Sequence, residues 1–133
     1  MTIVERFLRL EMPVEQCVII GSGVLDALNL RRSGDIDVVV SDELFSRLSG
    51  DGRWRAEVRH DETVLLMEDV ELWRSWGSDG VPNFDDLFGS SIEVEGVHFA
   101  DPAYVLEQKR KSLREKDVQD IRLLEEYLSH AAK

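Results

Sequence analysis

The stretch Cys17-Val18-Ile19-Ile20-Gly21-Ser22-Gly23, followed after eleven residues by Asp35-Ile36-Asp37-Val38-Val39-Val40, decides how this chain reads. Residues 16–20 form a short apolar run bounded by a breaker, the pattern of a buried strand. Gly21-Ser22-Gly23 ends that strand and opens a short helix expected over Val24–Leu30. Arg31-Arg32-Ser33-Gly34 then turns into a second strand, Asp35 to Val40. Residues two apart on a strand point to one face, so Asp35 and Asp37 project together, roughly 6–7 Å apart at Cα. Adjacent carboxylates repel unless a cation compensates, and hard oxygen ligands suit Mg²⁺, which keeps other positions for water and phosphate oxygens. A strand–Gly-Ser-Gly–helix turn supplies the complementary half. Its backbone can approach a phosphate closely, with N–H groups and the Ser22 hydroxyl at the positive helix end.

Around this centre the chain reads as one mixed α/β domain over residues 1–133, with a mixed sheet of about four to six strands flanked by helices. A helix is expected over residues 2–10, ended by Met12-Pro13, and another over 42–48 capped by Ser41. Residues 53–59 and 63–73 read as an antiparallel hairpin turning at His60-Asp61-Glu62, the second strand continuing unbroken. A loop at Gly77-Ser78-Asp79-Gly80 leads to a helical turn near Phe84–Phe88. A hairpin over 91–95 and 97–99 turns at Glu95-Gly96. Two helices close the chain. Asp101-Pro102 starts the first, and Val118, Ile121, Leu124 and Leu128 mark the apolar face of the second.

Composition narrows the functions open to such a domain. Sixteen basic against 27 acidic residues give a net charge of -11, which repels phosphate backbones and argues against extended nucleic-acid binding. Residues 1–102 hold 9 basic and 21 acidic side chains, whereas 103–133 hold 7 and 6. The cluster Lys109, Arg110, Lys111, Arg114 and Lys116 therefore offers a basic wall to a small anion. The lone Cys17 reads as a buried thiol in a reducing compartment. With an amphipathic charged start and no apolar run approaching 18 residues, the expectation is a cytoplasmic protein without membrane contact. Trp54, Trp73 and Trp76 read as sheet packing before base stacking, and Arg31 and Arg32 as a solvated turn.

Apolar-Gly-Ser, a short helix, then Asp-apolar-Asp-apolar over Val18–Val40 resembles the nucleotidyltransferase superfamily of the DNA polymerase β type. The resemblance implies a mixed sheet flanked by helices, a Mg²⁺ or Mn²⁺ cofactor and a nucleoside triphosphate substrate. It also implies a third acid on a later strand near the Asp-x-Asp strand. Glu68, Asp69 and Glu71 are the candidates, with Glu71 favoured because Val70 and Leu72 flank it. Asp35, Asp37 and Glu71 are thus the expected metal-holding and catalytic set, with Gly21, Ser22 and Lys109 binding the nucleotide. Gly96–Pro102, then Lys109, Arg114, Lys116-Asp117 and Asp120, is similar to the tail of small bacterial nucleotidyltransferase-like proteins, including the AbiEii-type toxin group. Asp117 and Asp120 are also read as capping their helix and pairing with Arg114. The function implied is transfer of a nucleoside monophosphate from a nucleoside triphosphate to an acceptor hydroxyl on a protein, small molecule or RNA. The alternative is a degenerate module of the same fold, an antitoxin or partner-binding protein.

Overall fold

The structure is a computed structural model that describes residues 1–76, 81–112 and 114–131; the expected loop at residues 77–80 lies outside them. Helix α1 (Ile3–Leu8) is closed at its start by a capping box in which Thr2 and Glu5 satisfy each other's backbone N–H groups. A single 3-10 turn at Val14–Gln16 leads into β1 (Cys17–Ile20), all four residues of which are buried. Helix α2 (Ser22–Ala27) follows at once, two residues earlier than the sequence suggests, because Gly21 alone makes the turn from strand to helix. Strand β2 (Ile36–Val40) starts one residue after Asp35. Helix α3 (Asp42–Ser49) carries the expected cap, the Ser41 hydroxyl accepting from the Leu44 N–H at 3.2 Å.

Residues 55–73 make three strands where two were expected: β3 (Arg55–Arg59), β4 (Glu62–Met67) and β5 (Val70–Trp73). The run 63–73 is broken by a tight turn at Glu68-Asp69, with Glu68 in the left-handed region at φ 52°. Helix α4 (Phe84–Gly89), the hairpin β6 (Ile92–Val94) and β7 (Val97–Phe99), and helices α5 (Pro102–Ser112) and α6 (Val118–Ala131) complete the chain.

The strands form one mixed sheet of seven, ordered β3-β4-β5-β2-β1-β7-β6, one more than the upper end of the expectation. β1 pairs antiparallel with β2 and parallel with β7, while β2 and β5 run parallel. Its central strands are apolar on both faces, which requires cover on both sides. Ile19, Val38, Val39, Leu72 and Phe99 are accordingly fully buried, together with Phe7, Leu44 and Leu124 from the helices. β3 is the opposite case: an edge strand almost wholly exposed, whose arginines and glutamate discourage further pairing. On α6 the expected apolar face is Leu124 with partly covered Ile121 and Leu128, whereas Val118 is 55% exposed. No helix among the described residues is long and apolar enough to cross a membrane.

Candidate active site

Two strand ends and one turn build the site. Ile20, the last residue of β1, sits opposite Asp37 on β2, and Asp37 in turn sits opposite Glu71 on β5. Register partners on neighbouring strands share a face, so the sheet sets Asp37 and Glu71 side by side. Of the three candidates for the third acid, Glu71 is therefore the one brought to the Asp-x-Asp strand. Asp69 is occupied elsewhere, accepting from Arg6 Nη2 at 2.6 Å, while Arg6 also ties down the Ser33 and Gly34 carbonyls. Glu68 lies in the β4–β5 turn and lines a neighbouring cavity with Asp35 and Glu71. The main cavity, about 520 Å³, is lined by Ser22, Asp35, Asp37 and Glu71 together with Arg59 and Arg114.

Gly21 turns the chain with φ 63° and ψ -140°, a conformation that side chains disfavour. A Cβ there would stand 3.7 Å from Asp37 Oδ2, so the glycine backbone and the carboxylate are immediate neighbours. Gly23 has a packing reason, since a Cβ would meet Ile19 Cγ2 at 2.6 Å. The Ser22 hydroxyl accepts from Arg31 Nη2 at 2.8 Å.

The carboxylates differ in what they touch. Asp35 is exposed. Glu71 is ion-paired with Arg59 Nη1 from the end of β3. Asp37 is mostly covered, and its Oδ1 is buried with no hydrogen-bond partner among the described residues. Burial first, and the charge of Asp35 second, push its pKa up to about 6, against the pull of Arg59, Lys109 and Lys116. A buried carboxylate oxygen with no partner is an unusual expense in a folded chain and is what a bound cation would relieve. The all-oxygen set Asp35, Asp37 and Glu71 fits a hard ion such as Mg²⁺ or Mn²⁺. As the side chains lie, no three His, Cys, Asp or Glu among the described residues are gathered into a metal-holding group, Glu71 being turned to Arg59.

No protein-family model matches this chain. No curated protein matches it either.

Lys109 does not face the cavity as a free cation. It is 7% exposed and held by Asp117 Oδ1 at 3.1 Å and Asp120 Oδ2 at 3.0 Å. Asp120 also takes Arg31 in a two-point pair, Nε to Oδ1 at 2.5 Å and Nη2 to Oδ2 at 2.8 Å. Asp117 takes Ser112 and Arg114 as well. Burial pushes the Asp117 carboxyl up, yet hydrogen bonds from Ser112, Arg114 and Lys109 outweigh it and hold the pKa at about 2. The expected pairing of Arg114 with an acid of this helix thus goes to Asp117, while Asp120 goes to Arg31. Arg31 is therefore no solvated turn residue. It links the Ser22 hydroxyl to α6, and no local signal in the sequence could have joined side chains 89 positions apart. Asp26, beside it, is buried and closes the α2–β2 turn by accepting from the Ser33 N–H at 2.7 Å.

Trp54, just before β3, and Trp73, on β5, are core residues at 8% exposure each, the packing role expected of them. Trp76 is not: it is only partly covered and lines the cavity. Cys17 is buried, and burial pushes its thiol up to about 12, leaving it inert.

Proposed function

We propose that this chain binds a nucleoside triphosphate with Mg²⁺ or Mn²⁺ and transfers the nucleoside monophosphate to an acceptor hydroxyl, releasing pyrophosphate. The observation that carries the reading is the unpartnered Asp37 Oδ1 in a cavity that also holds Asp35, Glu71 and the Gly21-Ser22 turn. When bound, the metal neutralises charge that develops on the phosphoryl oxygens and orients the reacting groups. Asp35, Asp37 and Glu71 would hold it. The Gly21 backbone, without a Cβ, lets the phosphates lie against β1. Ser22, its hydroxyl oriented by Arg31, donates to a phosphate oxygen. The acceptor oxygen bonds to the α-phosphorus as the bond to the bridging oxygen breaks, and the proton of the acceptor hydroxyl passes to the Asp37 carboxylate. Glu71 joins the set once Arg59 swings from it to the incoming phosphates, a move open to a partly exposed side chain at the end of an edge strand. The reading includes a cytoplasmic location, supported by the single buried thiol.

A second reading is favoured by one specific contact. With Glu71 neutralised by Arg59 and Lys109 consumed by two aspartates, the chain also fits a degenerate module that keeps the fold and serves as an antitoxin or partner-binding protein. The two readings part on metal dependence. Thermal stabilisation by ATP, GTP, CTP and UTP is measured with Mg²⁺ and with EDTA, alongside transfer of label from α-labelled triphosphate. The wild type is compared with the Asp35→Asn/Asp37→Asn double variant. A metal-dependent shift lost in the variant supports the transferase; no shift with any nucleotide moves the reading to the partner-binding module.

A further inference from the structure

Beside the main cavity lies a smaller one of about 190 Å³, lined by Gly21, Trp76, Tyr104, Gln108, Lys109 and Arg114 among others. Trp76 and Arg114 line both, so these two side chains border the two spaces in common. The small lobe takes in Gly21, where a Cβ would stand 3.7 Å from Asp37 Oδ2, and side chains of α5. Resting on the transferase reading above, we infer that this lobe holds the base of the donor nucleotide, stacked on Trp76 and read by Tyr104 and Gln108.

The chemistry of the lining selects for a flat, neutral, hydrogen-bonding ring. Two aromatic side chains border the space, and Trp76 is fixed in place before any ligand arrives. Its ring stands edge-on to Trp73 at 5.1 Å with an interplanar angle of 83°, and its backbone N–H donates to the Pro82 carbonyl at 3.0 Å. A prepositioned indole stacks without first losing rotamer freedom. The charge of Lys109 is already met by Asp117 and Asp120, and that of Arg114 by Asp117, so neither leaves an unmatched charge for an anionic group. What is left unengaged is neutral. The Tyr104 hydroxyl is buried with no hydrogen-bond partner among the described residues, and burial pushes its pKa up to about 12, so it stays a donor at physiological pH. The Gln108 carboxamide, half-buried one helical turn further along α5, has no hydrogen-bond partner among the described residues and offers both a donor and an acceptor. A hydroxyl and a carboxamide between aromatic rings match the edge and the faces of a nucleobase. Bare phosphate would leave the rings unused.

The experiment titrates the protein by calorimetry, with Mg²⁺ present, with ATP, GTP, CTP, UTP, inorganic tripolyphosphate and the four free nucleosides. Wild type is compared with Trp76→Leu, Trp76→Phe and Tyr104→Phe. At least one nucleoside triphosphate is expected to bind tenfold or more tightly than tripolyphosphate. Trp76→Leu should erase that preference, Trp76→Phe should keep most of it, and Tyr104→Phe, which removes one oxygen only, should change the ranking of the four bases. Equal binding of tripolyphosphate and every nucleotide by the wild type, or a preference that survives Trp76→Leu intact, overturns the base site while leaving the acid site standing. Failure of both triphosphate and tripolyphosphate to bind overturns the transferase reading. In that case nucleoside binding abolished by Trp76→Leu would still uphold the lobe, and its absence would remove that as well.

Discussion

Replacing Asp37 by Asn should make the metal-free protein more stable at neutral pH. Asp37 is the carboxylate that burial and Asp35 hold at about 6, above its ordinary 3.8. A carboxyl whose pKa is raised by folding binds its proton more tightly in the native state. The penalty for ionising it is therefore absent below the unfolded value, grows as pH rises from about 4 to about 6, and is complete above that. At pH 8 it amounts to about 3 kcal/mol, and at pH 5 to about half of this. Asn has nearly the same shape and no charge, so Asp37→Asn removes the penalty while keeping the side-chain volume. In urea, with an m-value of about 2 kcal/mol/M, the variant's midpoint should lie about 1.5 M above wild type at pH 8 and roughly half as far at pH 5. Mg²⁺ should narrow the gap by stabilising the wild type and not the variant, and more so at pH 8 than at pH 5. Unfolding in EDTA at the two pH values, read by tryptophan fluorescence, makes the comparison. Equal midpoints at pH 8, or a variant less stable than wild type there, would refute the account of Asp37 as a carboxylate held at a cost for a ligand.

Lys109→Met should destabilise the chain by about 3–5 kcal/mol, because it leaves Asp117 and Asp120 buried with one cationic partner fewer, and chemical denaturation would read the loss. Since hydrogen bonds hold Asp117 at about 2, wild-type stability should also fall as pH drops from about 4 towards 2, and Asp117→Asn should flatten that limb of an acid titration followed by circular dichroism. Gly21→Ala should cost about 1–3 kcal/mol from the backbone angle alone, measured as a drop in the urea midpoint, and should weaken tripolyphosphate binding by crowding the approach to Asp37.

The central strands and the acid pair were legible because their signals are local. Four apolar residues, a glycine turn and an alternating Asp-Ile-Asp fix β1, the turn and β2 within 24 positions. The hairpin at Glu95-Gly96 was legible for the same reason, with Gly96 supplying the left-handed position at φ 85°. The turn at Glu68-Asp69 carries no such mark. Glu68 adopts φ 52° without being glycine or asparagine, so residues 63–73 read as one strand and the sheet came out one strand short. Glu71 was favoured on its apolar neighbours; what sets it beside Asp37 is the parallel register of β2 and β5, which a sequence does not print. The Ser22–Arg31–Asp120–Lys109 chain has no local signature, because its contacts join side chains of a turn and two helices that lie far apart in the sequence.

That chain bears on how an anion could enter. The run 109–116 reads as a basic wall, but folding spends nearly all of it: Lys109 on Asp117 and Asp120, Arg110 on Glu125, Lys111 on Glu107, Arg114 on Asp117. Lys116, exposed and lining the main cavity, is the one member of that run with no ion pair among the described residues. A triphosphate carries about four negative charges into a protein of net charge -11, toward Asp35 and Asp37, which have no ion pair among the described residues. Lys116 and a displaced Arg59 cannot offset that alone. On the transferase reading the nucleotide must therefore arrive with its divalent cation, and binding should be lost in EDTA even where all the protein's own contacts to sugar and base remain. On the partner-binding reading the same arithmetic points the other way: the acid cleft would seek a basic side chain, in the manner that Arg59 already meets Glu71 within the molecule.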